Sequence, residues 1–226
     1  MKKIVVVDFA GTLIKKEIIE EANSFRAQIL QRDLPSVQEH AQNKLLYKNN
    51  RDFVERLTGV RKRSKILYRS NDGREVVLSG EQAQNQMATN LFQIGMYMAA
   101  KKHGKKIFSP DFLEVLKKIK KKGYALAIVS GVRTDIISGM LEIVGVNLFD
   151  FIKGQPPMLG IGNEELLQEL TKEGEIVALI GDKKDDLLPA KKFQTKAVFV
   201  TWGTPQGGEE KMAKVVRRPE ELLGLF

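Results

Sequence analysis

Lys3-Ile4-Val5-Val6-Val7-Asp8 runs four β-branched apolar residues together and closes them with a carboxylate. Two later stretches repeat the pattern: Tyr124-Ala125-Leu126-Ala127-Ile128-Val129-Ser130 and Ile176-Val177-Ala178-Leu179-Ile180-Gly181-Asp182. Unbroken apolarity, rather than alternation, is what a strand needs when helices cover both faces of its sheet. Residues 197–201 and 148–153 read as further strands. Helical spacing fills the intervals, at 111–122, 134–144, 164–172 and 186–192. Strands alternating with helices of this length predict an α/β fold with a doubly wound parallel sheet. Ligands of such sheets bind at the carboxyl ends of the strands, and Asp8, Ser130 and Asp182 all fall there.

Residues 15–106 break the alternation. Ile18, Ala22, Phe25 and Ile29 step along one helical face, and Met87, Leu91, Ile94 and Met98 along another. Short helices are expected at 36–48 and 52–57. Asn71-Asp72-Gly73, between apolar runs in 65–78, reads as a hairpin turn. A block this long is no loop. It predicts a small, mostly helical second domain at 15–106, lying over the carboxyl edge of a core made of 1–14 and 107–226.

Composition narrows the chemistry. The 226 residues are 42% hydrophobic and 29% charged, enough to bury a core and too apolar for a disordered tail. No apolar run approaches the roughly 20 residues of a membrane span, and Asp8 cuts short any secretory signal. With no cysteine and two histidines, disulfide frameworks, thiolate metal sites and histidine cages are excluded. A cytoplasmic protein working through carboxylates, hydroxyls, lysines and backbone is expected. The net charge of +9 is mostly local: residues 101–122 hold nine lysines against two acids. There Phe112, Val115, Leu116 and Ile119 form an apolar face and Lys117, Lys118, Lys120, Lys121 and Lys122 the opposite one, which suits a solvated helix. No aromatics interleave to stack bases, so no nucleic-acid partner is expected.

Three motifs sit on the strand ends in order: Asp8-Phe9-Ala10-Gly11-Thr12-Leu13, then Val129-Ser130-Gly131, then Ile180-Gly181-Asp182-Lys183-Lys184-Asp185-Asp186. Together they resemble the first, second and fourth motifs of the haloacid dehalogenase superfamily, with a Rossmann-like core and a helical cap inserted after the first strand. The resemblance implies Asp8 as a nucleophile that forms an aspartyl-phosphate. It implies phosphate contacts from Thr12, Ser130 and the backbone of Gly11 and Gly131. It also implies Mg²⁺ held by Asp8, the carbonyl of Ala10, Asp182, and Asp186 or Asp185. The chemistry stands apart from the resemblance, because a carboxylate needs a cation beside it to approach an anionic phosphoryl group.

The chain departs from the family pattern twice. Ala10 replaces the aspartate that protonates the leaving group, a service worth about 10²–10⁴ in rate. The third-motif lysine is not evident, with Lys153 the first candidate and Lys183 the next. The expected activity is Mg²⁺-dependent hydrolysis or transfer of a phosphoryl group from a small phosphorylated molecule. Ala10 also resembles the phosphonoacetaldehyde hydrolase branch, in which a cap lysine forms a Schiff base; Lys48 would be that lysine here. A phospho-ligand-binding protein with little turnover is the third reading. Trp202, just past a strand end, reads as a packing or rim residue. Oligomeric state is not encoded in any pattern found.

Overall fold

Four consecutive buried residues, Ile4 to Val7, make β1 (Lys3–Val7) the middle of a sheet. The computed structural model describes residues 1–30, 65–69, 75–155 and 162–226. After β1 come α1 (Lys16–Leu30), β2 (Lys65–Arg69), β3 (Glu75–Ser79), α2 (Gly80–His103), α3 (Pro110–Lys121) and β4 (Ala125–Arg133). The chain continues through α4 (Thr134–Ile143), β5 (Phe151–Gln155), α5 (Asn163–Leu170), β6 (Glu175–Gly181), α6 (Lys184–Leu187), α7 (Pro189–Lys192), β7 (Lys196–Val200) and β8 (Lys214–Val216). Among the described residues no helix is long and apolar enough to cross a membrane.

The six strands β5-β4-β1-β6-β7-β8 form one sheet in that order, every pairing parallel. The order grows from β1 through β4 to β5 on one side, then returns past β1 to β6, β7 and β8 on the other. Right-handed crossovers in opposite directions place α4 and α5 on opposite faces. The sheet is therefore doubly wound, an α/β Rossmann-like fold. Leu166, Leu167 and Leu170 of α5 pack on Ile4, Val6, Ala127, Val129 and Leu179. The apolar stripe of α3, Phe112, Val115, Leu116 and Ile119, is buried as its spacing requires.

The lysines of α3 fasten its surroundings together. Lys117 pairs with Glu114 at 2.7 Å, Lys120 reaches the Leu148 carbonyl at 2.7 Å and Asp150 at 2.9 Å, and Lys122 bonds the Leu223 and Phe226 carbonyls.

Three local differences from the sequence reading have physical causes. The strand expected to end at Ser130 continues to Arg133, with a register shift between those residues, so Gly131 and Val132 form a bulge. A methyl group on Gly154 of the neighbouring strand would strike the Val132 carbonyl and the Thr134 amide. The helix expected at 186–192 is two short ones, because Pro189 has no N–H to continue the first. Finally, β8 is only three residues long, too short to show a period.

The chain divides into two compact units, Met1–Ile19 with Ala99–Phe226, and Glu20–Met98. The sheet belongs to the first. In the second, β2 and β3 pair antiparallel with Arg69 opposite Glu75, the hairpin read from 65–78. Its turn, and the helices expected at 36–48 and 52–57, lie outside the described residues. Gly95 lies so close to Ala22 that an added methyl group would meet the Ala22 backbone, and Arg26 sits over the Phe92 ring at 5.9 Å.

Candidate active site

Asp8 leaves β1 with its amide bonded to the Ile180 carbonyl of β6 at 2.9 Å, so backbone pairing carries over to the functional side chain. Asp8 is buried, and Ser130 on β4 donates its hydroxyl hydrogen to Asp8 Oδ1 at 3.0 Å. The bulge amide of Val132 points at the same Ser130 oxygen at 3.4 Å. From the other side come Asp182, completely buried after β6, and Asp186 on α6. Oxygens of Asp8, Asp182 and Asp186 all lie within 4.8 Å of one another. Strand order explains the meeting: β4, β1 and β6 are adjacent, with β1 between the others.

Each acid is anchored. Asp182 Oδ1 accepts from the Thr12 hydroxyl at 3.0 Å, and its Oδ2 accepts from the Thr204 amide at 2.6 Å and the Thr204 hydroxyl at 3.0 Å. Asp186 accepts from the Lys183 amide at 3.1 Å and closes the first turn of α6. Glycines make the approach possible. A methyl group on Gly11 or Gly203 would collide with Asp182, and one on Gly181 with Asp186; Gly11 also has φ +104, a conformation natural to glycine.

The electrostatics follow from this crowding. Burial, then the charges of Asp186 and Asp182, hold the Asp8 carboxyl well above the usual range, against the Phe9 amide and Ser130 hydroxyl. Burial and then Asp182 push Asp186 up to about 7. Three acids so placed favour a proton or a cation between them. Hard divalent ions prefer such all-oxygen surroundings. The residues present therefore fit Mg²⁺, since a glycine cradle presses anionic oxygens together where neutral packing would have served better.

The other expected site residues fall in several places. Asp186 joins the cluster while Asp185 is exposed. The hydroxyl of Thr12, expected on phosphate, is directed to Asp182, because Thr12 is buried under the loop that follows β7. Ala10 lies in the turn two residues beyond Asp8, bridged to Ile14. Gly131 is exposed with open space beside it. Lys153, on β5, pairs with Glu169 of α5 at 3.4 Å. Lys183 is the cation whose charge acts on Asp186. Lys48 lies outside the described residues.

Two residues, Thr204 and Asn163, were missed. Thr204 follows β7, where the strand-end rule could have drawn attention to it, and Trp202, read as a packing or rim residue, lies beside it. The Trp202 indole N–H bonds the Thr12 carbonyl at 3.0 Å, and its ring meets Phe112 edge-on at 5.4 Å. Asn163, at the start of α5, lines a cavity of about 10 Å³ with Asp8 and Asp186. No signal marked it.

A doubly wound α/β sheet with acids gathered at the carboxyl ends of its central strands defines a class of α/β proteins whose functional site lies at that edge. Within that class, the haloacid dehalogenase-like hydrolase family model matches residues 2–194, and the chain belongs to that family. A phosphoglycolate phosphatase of Aquifex aeolicus (strain VF5) is 26% identical over 128 residues, 52% of this chain. The match spans 58% of that relative's length. Among solved structures, a haloacid dehalogenase-like family hydrolase from Streptococcus pneumoniae superimposes with a TM-score of 0.64 at 18% identity, covering 100% of this chain and 98% of the other. A mutant of CbbY from Rhodobacter sphaeroides, in complex with xylulose-(1,5)bisphosphate, gives a TM-score of 0.56 at 16% identity over 98% and 96% of the two chains. At such identities the structural likeness is one of fold.

Proposed function

We propose that the chain is a Mg²⁺-dependent phosphatase acting on a small phosphorylated molecule through Asp8. The observation that carries this is the meeting of Asp8, after β1, with Asp182 and Asp186, which follow the adjacent β6, all within 4.8 Å of one another at one sheet edge. The relative named phosphoglycolate phosphatase supports the phosphate ester as substrate class. Asp8, Asp182 and Asp186 would hold Mg²⁺, which supplies the positive charge that keeps Asp8 ionised beside an anionic phosphoryl group.

An Asp8 oxygen attacks phosphorus, the ester P–O bond breaks, and the alcohol oxygen leaves with the electron pair. Water then attacks the aspartyl-phosphate, releasing inorganic phosphate and returning the Asp8 carboxylate. Ser130 orients Asp8 through Oδ1 and leaves its other oxygen for attack. Thr12 acts by orienting Asp182. Ala10 has no proton to give the leaving oxygen, so substrates with acidic leaving groups react best. Substrate selectivity is assigned to the inserted unit.

The test is hydrolysis of an aryl phosphate with Mg²⁺, with EDTA, and by Asp8→Asn. Activity that needs Mg²⁺ and vanishes in the variant supports the proposal; an active Asp8→Asn removes it. Ala10 also favours a second reading, a phospho-ligand-binding protein with slow turnover. Ala10→Asp then raises alkyl phosphate hydrolysis by about 10²–10⁴-fold, the range of positioned acid–base help. The carbon–phosphorus alternative rests on Lys48 and is tested by borohydride trapping with phosphonoacetaldehyde.

A further inference from the structure

Asp182 Oδ2 is already filled. A carboxylate offers about four lone-pair sites, two on each oxygen. Thr204 occupies both on Oδ2, through its amide at 2.6 Å and its hydroxyl at 3.0 Å. Thr12 takes one on Oδ1, leaving a single site on that oxygen. We infer that Thr204 is a positioning residue that makes Asp182 a one-oxygen ligand, held in place by a strap running from Trp202 to Glu209. The inference rests on the reading of the three acids as a Mg²⁺ site.

Both ends of the strap are fixed to the loops that carry the acids. At its start, Trp202 bonds the Thr12 carbonyl and packs edge-on against Phe112. Gly203 lets the backbone lie directly over Asp182, where a side chain would not fit. At its end, Glu209 is wholly buried and accepts from the amides of Gln206 at 2.9 Å and Gly207 at 2.8 Å, closing a tight turn. Gly208, at φ +91, brings that turn against the Lys184 side chain, one residue from Lys183 in the Asp182–Asp186 loop, and the Lys184 charge acts on Glu209. The two amides and the Lys184 charge offset the cost of burying this carboxylate.

The choice of one oxygen bears on which cation is held. Mg²⁺ demands near-ideal octahedral geometry and few carboxylate oxygens, whereas Ca²⁺ accepts six to eight ligands and bidentate carboxylates. Thr204→Val keeps the amide but removes the hydroxyl, which frees Oδ2 for a second bond to the ion. Residues that orient a ligand this way typically account for about 10–100-fold in metal affinity.

The test is calorimetric titration of the full chain with MgCl₂ and, separately, CaCl₂, for wild type, Thr204→Val, Thr204→Ser and Asp182→Asn. The expected result is a 10–100-fold weaker Mg²⁺ affinity in Thr204→Val, a much smaller loss for Ca²⁺, and near-wild-type binding in Thr204→Ser. Unchanged Mg²⁺ affinity in Thr204→Val, or Mg²⁺ and Ca²⁺ weakened in parallel, overturns the inference and leaves the metal reading standing. A wild-type chain that binds no Mg²⁺, or an Asp182→Asn chain that binds it equally well, removes both. Should Thr204→Val fail to fold, Glu209→Gln carries the same test, with Mg²⁺ affinity again expected to fall more than Ca²⁺ affinity and an unshifted ratio overturning it.

Discussion

Asp186 ionises close to neutrality, pushed up to about 7 by burial first and by Asp182 second. Its unfolded value is near 3.9. A raised carboxyl binds more protons in the folded chain, so between about pH 4 and 7 folding stability falls as pH rises. In EDTA the melting temperature should therefore drop across that window, by an amount equivalent to a few kcal/mol at most. Asp186→Asn should flatten the profile and raise the EDTA-treated chain's melting temperature near pH 7.5; a profile equally steep in the variant would contradict the assignment. Gly11 is the second residue-level test. Gly11→Ala strains a left-handed backbone and forces a methyl group onto Asp182, with a stability loss of about 1–3 kcal/mol in urea titrations. Mg²⁺ affinity should fall with it. These details were only partly legible in the sequence. The acids announced themselves by following apolar runs, but the Thr12 hydroxyl has two plausible oxygen partners, and only the packed loop after β7 decides for Asp182.

At the scale of elements, α5 connects the core to the site. Leu167 packs on β1 and β4 residues and lines the small cavity beside Asp8 and Asp186. Leu167→Ala should destabilise the chain by about 2–5 kcal/mol, with the spread set by how far α5 can collapse into the gap. Equilibrium denaturation measures it, and activity per folded molecule should fall as well if α5 supports Asn163 near Asp8. The strands β1, β4 and β6 could be read directly because burial on both faces forces continuous apolar runs. The bulge at Gly131 and Val132 could not, since it arises from the pairing of Ser130 and Arg133 with Gly154 and Gln155 rather than from composition. The lysine sought in the third motif illustrates the same limit. Lys153 was nearest in sequence, yet its strand is separated from β1 by β4, and its ammonium turns to Glu169.

For the molecule as a whole, binding of the proposed ion would be coupled to folding, because the three acids converge only when β1 and β6 are in register. A ligand present at about 100 times its dissociation constant stabilises the folded state by about 2.7 kcal/mol. For a chain of this size, each kcal/mol moves the melting temperature by about 2–4 °C. Saturating Mg²⁺ should thus raise the transition of the sheet-bearing unit by about 5–10 °C at pH 7.5, and Asp182→Asn should abolish the shift; a shift that survives in the variant would place the ion elsewhere. The fold class was readable from strand and helix alternation, which local burial imposes along the whole core. The strap was not, because Thr204 and Glu209 each act through a pair of local hydrogen bonds that no periodicity records.

Sheet order has one further consequence, for biosynthesis. The Ser130 partner of Asp8 is made 122 residues after it, and Thr12 waits 170 residues for Asp182. At ribosomal speeds of about 5–20 residues per second, that delay is roughly 10–30 s. Until β4 is made the sticky Ile4–Val7 segment has neither of its flanking strands, so a nascent chain stalled before β4 should be a client for chaperones.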